Sequence, residues 1–394
     1  MKIAILTSGI LPVPSVQGGA VENLIDFYLE YNDIHKIHDI TVYSIYNKKT
    51  DNHSAQSSLV NHYYYIDTNS LWARIRRFIY RHASYKKNIS LNNHFIEFYF
   101  EQAAKHSRKF NYDIIILENR PSYAYKLRPQ TNAKLICHLH NELLTFNSPK
   151  ASKIYNSLDK IITVSDYIAN RVKTINSYDN KCITVYNGIN LKAFSPYRNS
   201  VITRNDIGLS QEDFVLVFSG RINKEKGILE LIKAMQLLNT ESHIKLLVIG
   251  GSFFGNNIKD NDYIKDIKRI ASNIQERIIF TGFIPYEKMP DYLKLSDIAV
   301  IPSIWNDPFP TTVIEAQAMG LPIIATKNGG IPEEVTKDNA ILLDTNENLI
   351  NSLAESITWL YQNPEECKRM GEASLTNSMK FDKERFRRDF FNAL

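Results

Sequence analysis

The sequence predicts an α/β fold built from two Rossmann-like domains, each a parallel sheet wrapped by helices. Three observations predict it. Short runs such as Lys2-Ile3-Ala4-Ile5-Leu6-Thr7, 113–117 and 214–218 are β-branched and apolar, as strands buried on both faces must be. Segments with helix-forming composition separate them, which is the order of βαβ units. The motif of strand, glycine loop and helix then restarts in the second half, so 394 residues divide into two cores rather than one.

Composition excludes several classes. The chain is 44% hydrophobic and 23% charged, with a formal net charge of +5, which is ordinary for a globular protein and too modest to argue for nucleic acid. Cys137, Cys182 and Cys367 are odd in number and widely spaced, which suits reduced thiols in a cytosol and offers no metal spacing. The apolar start, 1–13, has one lysine, no small-residue cleavage site, and is interrupted by Gly9 and Pro12, so a buried first strand is expected rather than a signal peptide. No run approaches the roughly 18–20 apolar residues of a spanning helix.

In chain order, 2–7 is the first strand, Gly18-Gly19 the loop that lets backbone approach a ligand at a helix N-terminus, and Val21 to Leu29 the helix. The loop is not GxGxxG, which argues against a nicotinamide dehydrogenase. Ile40 to Ile45 is the second strand. In Leu71 to Lys87, Leu71, Trp72, Ile75, Phe78 and Ile79 share one helical face. Arg74, Arg76, Arg77, Arg81, Lys86 and Lys87 add charge, and no acid occurs from Thr68 to Ile96. Such a helix reads as an element for an anionic membrane surface, or as a core helix with solvated arginines.

Arg120 follows the strand at 113–117, at the end where open α/β sheets gather ligands; it is a candidate for an acceptor phosphate or carboxylate, or for a structural ion pair. His138 and His140 fall on one side of the strand at 134–140, but no third metal ligand is near them in sequence. Ser165-Asp166 caps a helix after the strand at 160–165. The first domain is expected to span 1–196 and the second 197–375.

The second domain opens with the strand 214–218 and the loop from Ser219 to Gly227, whose Arg221 and Lys226 suit a diphosphate, arginine as a fork and lysine as a point charge. Strands follow at 244–249, ending in Gly250-Gly251, and near 278–285. Asp260-Asn261-Asp262 spells an Asp-x-Asp in a polar loop and reads as solvated. The strand from Ile298 feeds a turn at Asn306, Pro308 and Pro310, and a helix starts at Thr311-Thr312. Asp307 lies at the strand's mouth and Glu315 two turns into the helix, with free N–H groups between them. Acid, amide nest, acid suits a nucleotide diphosphate and a sugar, although two exposed acids on an ordinary strand–helix turn have the same spacing.

Asp307 to Glu334, with its acid-x7-acid spacing and the segment Gly320-Leu321-Pro322-Ile323-Ile324-Ala325-Thr326 before Gly329-Gly330, resembles the family 4 glycosyltransferases, retaining nucleotide-sugar enzymes of GT-B fold. Gly220-Arg221 with Lys226-Gly227, the Leu139-His140-Asn141 ending and Asn187-Gly188-Ile189-Asn190 at the expected hinge are similar to further family segments. The opening 11–19 and Glu118-Asn119-Arg120-Pro121 resemble a bacterial cell-surface and spore-coat subgroup. The resemblance implies two domains facing a cleft, with residues 376–394 forming a helix that crosses back to the first.

It also implies roles. Arg221, Lys226 and the amides of Thr311 and Thr312 take the diphosphate, with Gly18, Gly19, Gly220, Gly250, Phe309 and Pro310 around the nucleotide sugar. Glu315 contacts the ribose, the backbone near Ile284 the base, and Asp307 and His140 the sugar; Asn187 joins Arg120 on the acceptor side. Asp307 stands where the family usually has Glu, and Pro310 where Gly is commonest, removing one donor. The expected donor is a nucleoside-diphosphate sugar, most simply a UDP-sugar, with no metal or other cofactor. The expected acceptor is a glycan or lipid-linked hydroxyl, with the chain cytoplasmic or peripheral on the membrane's inner face. A non-catalytic subunit of the same fold and a nucleotide-sugar epimerase remain as alternatives.

Overall fold

The computed structural model describes residues 1–50, 60–83, 94–238, 241–251 and 262–394, without the side chains of residues 77 and 79–83. The chain forms two units, Met1–Val185 with Arg387–Leu394, and Tyr186–Phe386. The division falls before Tyr186 rather than after Pro196, and the returning segment starts at Arg387 rather than at residue 376. The reason is local. Ile189 bonds to the backbone of Phe381 and Lys383, which ties the hinge turn to the second unit.

The first unit holds seven strands: β1 Lys2–Leu6, β2 Asp39–Ile45, β3 Asn61–Ile66, β4 Ile114–Glu118, β5 Lys134–Leu139, β6 Lys160–Thr163 and β7 Cys182–Thr184. They run in the order β3-β2-β1-β4-β5-β6-β7, all parallel. The central strands are buried on both faces, which is why they read as continuous apolar runs; Ile3, for example, faces Ile40 on one side and Ile114 on the other. The final residues belong to this core. Phe390 stacks on Tyr28 with ring centroids 4.1 Å apart and planes within 3°, Arg387 pairs with Glu30, and Lys160 donates to the Ala393 carbonyl at 2.6 Å.

The second unit holds β8 Phe214–Ser219, β9 Ile244–Ile249, β10 Ile278–Gly282, β11 Ile298–Ile301, β12 Ile323–Thr326 and β13 Ala340–Leu343, in the parallel order β10-β9-β8-β11-β12-β13. Its core gathers Leu216, Leu246, Val300 and Ile324 from the sheet, with Leu231 and Met235 of helix Ile228–Leu237 and Leu353 and Ile357 of helix Leu349–Gln362.

In each unit strand order reverses beside the first strand, at β1/β4 and at β8/β11. Helix crossovers leave in opposite directions at such a point, so a crevice opens at the carboxyl ends of the two strands. Both sets of candidate site residues follow these strands. The three cysteines are unpaired, and no described helix is long and apolar enough to cross a membrane.

Candidate active site

In the second unit the loops beyond β8, β9, β11 and β12 are drawn together by glycines. At Gly227, with φ 71°, a Cβ would lie 1.8 Å from the Pro302 carbonyl oxygen, and at Gly250 a Cβ would lie 1.9 Å from that of Gly220. At Gly329 it would lie 2.1 Å from the Asp307 carbonyl oxygen, which also accepts from Gly330 N–H at 2.7 Å. Ile304 N–H donates to the Glu225 carbonyl at 2.9 Å, which closes the β8 and β11 loops on each other.

At this junction the Lys226 ammonium pairs with the buried Asp307 carboxylate. Asn223 orients the lysine's own turn, its side chain accepting from Lys226 N–H at 3.2 Å. Pro310 enters helix Thr311–Ala318 in an extended conformation without a side-chain cap, so the first-turn amides of Thr311 and Thr312 have no intrahelical acceptor. One turn further the buried Glu315 accepts from the side chains of Tyr286 and Thr311, and burial pushes its carboxyl up to about 7. Glu334 is fully buried; burial first, and then the Asp307 charge, raise its carboxyl well above the ordinary range.

The remaining second-unit candidates divide. Arg221 is exposed in the β8 loop, Gly220 has open space where a Cβ would stand, and Ile284 is half-buried just past β10. Phe309 is instead packing: its ring is buried and stacks on Tyr186 at 5.1 Å, and its carbonyl accepts from the Asn187 amide at 3.1 Å. Asn187 therefore belongs to the second unit as a brace for the Asp307–Thr311 turn, which corrects its expected acceptor-side position. Asp262 is a highly exposed helix start, as a solvated loop requires, while Asp260 and Asn261 lie outside the described residues.

In the first unit β4 and β5 bring a carboxylate between the two histidines. Glu118 Oε2 lies 3.1 Å from His138 Nδ1 and 3.2 Å from His140 Nε2, and Glu118 Oε1 accepts from the Tyr28 hydroxyl at 2.9 Å. Burial alone would raise Glu118, but the two imidazoles bring it down to about 2, so it is ionised. Burial and the neighbouring His138 lower His140 to about 4, so its ring is neutral. Among the described residues this is the one group of three whose donor atoms come within 4.8 Å, and those atoms are spent on one another as hydrogen bonds. His140 is further fixed by its N–H to Asn119 Oδ1 at 3.1 Å.

Gly18 and Gly19 both take positive φ, and Gly19 precedes helix Ala20–His35. A Cβ at Gly19 would meet the carboxylate of the buried Glu22, which burial pushes to about 7. Arg120 makes no ion pair with a described residue; its Nε donates to the Ser8 carbonyl at 3.1 Å, joining the ends of β1 and β4. In helix Leu71–Ala83 Ala73 is buried, but the large apolar side chains among the described residues do not form a core face: Leu71 and Trp72 are each 73% exposed and Phe78 65%. Arg74 and Arg76 are also exposed, Arg76 pairing with Glu101 at 2.5 Å. The side chains of Arg77 and Arg81, and Lys86 and Lys87, lie outside the described residues.

Sequence reasoning did not assign Glu118, Glu22, Tyr286 or Glu334 to the sites. Glu118 stands within the quoted 118–121 segment, and its register opposite His138 was the available signal. Tyr286 carries no motif and meets Glu315 only through the tertiary fold.

Known proteins are similar to this chain. The model for Glycosyl transferases group 1 matches residues 201–376 and that for Glycosyltransferase Family 4 matches residues 50–193. Spore coat protein SA of Bacillus subtilis (strain 168) is 30% identical over 95% of this chain and 93% of its own. Among solved structures, a glycosyltransferase from Rickettsia africae superposes with a TM-score of 0.75 at 21% identity, over 99% of this chain and 97% of that one. Anabaena HepE, in complex with UDP and glucose, does so at 0.73 and 19%, over 100% and 98%. With the paired parallel sheets and the strand-end sites, these matches establish that the chain belongs to the family 4 glycosyltransferases of GT-B fold.

Proposed function

We propose that this glycosyltransferase moves a sugar from a UDP-sugar to a hydroxyl of a cell-surface glycan or lipid-linked acceptor, with retention at the anomeric carbon and without a metal. The observation that carries the reading is the Lys226–Asp307 pair at the β8/β11 switch point, directly before the open amides of helix Thr311–Ala318. An anion there meets an ammonium, a helix N-terminus and the Arg221 loop, which is what a departing nucleoside diphosphate requires. UDP in the HepE complex supports the choice of base, and the spore-coat relative supports an acceptor of the cell surface.

In this mechanism the bond between the anomeric carbon and the diphosphate oxygen breaks, and Lys226, Arg221 and the amides of Thr311 and Thr312 take the charge. The acceptor oxygen bonds to the same face of the sugar, and its proton passes to the leaving phosphate. Glu315 binds the ribose and Asp307 the sugar hydroxyls, while in the first unit the neutral His140 offers an acceptor for a hydroxyl. A thermal-shift panel of nucleoside diphosphates tests the donor, with UDP expected to give the largest rise. NMR of the product tests the stereochemistry, and clean inversion would overturn the mechanism.

The same reading includes a peripheral membrane site at helix Leu71–Ala83, supported by the outward Leu71 and Trp72 beside Arg74. Flotation with anionic liposomes at low salt is the check; binding equal to that on neutral liposomes would remove it.

A further inference from the structure

The first unit carries a cavity of about 210 Å³ beyond β4, lined among others by Arg120, Ser122, Tyr125, Lys126, Leu143 and Lys150. No carboxylate is among its described lining residues. Lys126 is spent on Glu97 at 2.6 Å, but among the described residues the other cations are not matched in this way. Among the described residues Arg120 donates through Nε alone, and its two terminal nitrogens keep their donors. Lys150 holds its ammonium 4.6 Å from the centre of the Tyr125 ring and 3.3 Å from its hydroxyl, and Lys153 approaches the same ring at 5.3 Å. Two ammonium groups approach one aromatic ring, and like charges so placed repel one another. Lys150 also sits at φ 61°, a conformation a non-glycine residue adopts at some cost, directly before helix Ala151–Ser157.

We propose that this cavity binds an anionic group of the acceptor, a phosphate ester or a uronate carboxylate, through Arg120 and Lys150. The inference rests on the reading of the first unit as the acceptor side. Position supports the link: Arg120 comes two residues after Glu118, which holds His140, and one after Asn119, which fixes the His140 backbone. Arg120 thus follows directly in the chain the two residues that fix His140. The volume suits one charged group and part of a ring rather than a whole nucleotide.

The test is calorimetric titration of the full chain with glucose 6-phosphate, glucuronate and glucose, under saturating UDP so that the diphosphate site of the second unit is filled. At least one anion should bind on the order of tenfold more tightly than glucose, and its rank against the other separates phosphate from carboxylate. Arg120→Gln should weaken it by about tenfold and Lys150→Gln by several-fold, while the UDP-induced rise in Tm is unchanged. Glucose binding as tightly as both anions, no binding by either anion, or affinities unmoved in both variants would overturn the inference. Should Arg120→Gln fold poorly, the exposed Lys150 carries the comparison. Absence of any UDP-induced rise in wild type would instead count against the donor reading, a separate failure.

Discussion

Glu118 places one carboxylate oxygen 3.2 Å from Nε2 of His140, so the ring's Nε2 proton points at the carboxylate and Nδ1 is the nitrogen left to accept from a ligand. With His140 neutral, Nδ1 is an acceptor and not a donor, and Glu118 sets that tautomer.

Glu118→Gln should therefore lower kcat by roughly tenfold, about 1.4 kcal/mol, with little change in donor KM. Its stability effect has a defined sign. The carboxyl falls to about 2 from an ordinary 4.5, so the stabilisation is present above pH 4.5 and is lost as pH falls toward 2. Wild type should exceed the variant in Tm by more at pH 7 than at pH 3, with an upper bound of about 3 kcal/mol. A constant difference across that range would contradict the pairing.

Glu315 behaves in the opposite sense. Its carboxyl is raised to about 7, so stability is fully present below pH 4.5 and is lost as pH rises through 7. Glu315→Gln should gain Tm relative to wild type between pH 5 and pH 8, while the UDP-induced shift shrinks because the ribose loses its acceptor. Melting curves at both pH values, with and without UDP, read both effects.

Lys226→Ala removes the cation and leaves Asp307 buried without it. Turnover should fall by about 10²–10³-fold. A double-mutant cycle with Asp307→Asn should return a coupling on the order of 1–3 kcal/mol in stability. Additive losses would mean that the two side chains act independently.

Gly227→Ala would drive a methyl into the Pro302 carbonyl, 1.8 Å away, at positive φ. A destabilisation of about 2–4 kcal/mol is expected, read as a drop in denaturation midpoint at unchanged m. Gly220→Ala, with open space around its Cβ, should cost about 1 kcal/mol and act mainly on nucleotide binding.

Strands buried on both faces were legible because burial writes itself as uninterrupted β-branched residues: the reading at 244–249 coincides with β9, and that at 214–218 falls within β8. The edge strands β3 and β7 were not. β3, Asn61–Ile66, carries three tyrosines with half-exposed rings, and β7 is a three-residue strand with no buried residue. The gathering of the Lys226 and Asp307 loops was legible as a motif because loop chemistry is local. Glu118, Tyr286 and Glu334 were not assigned, since each acquires its role from a neighbour on another strand or loop. The unit boundary was misplaced for the same reason: the backbone bonds of Ile189 to residues 381 and 383 are long-range.

The packing of Phe390 onto Tyr28 has a consequence for biosynthesis. The ribosome makes Met1–Val185 first, yet the aromatic residue that covers Tyr28 emerges only after all of Tyr186–Phe386 has been translated. Until then the nascent N-terminal half presents an uncovered apolar face, the kind of surface that chaperones recognise and that aggregates when they are scarce. Shortening the gene before the codon for Arg387 should turn a soluble product into an insoluble one.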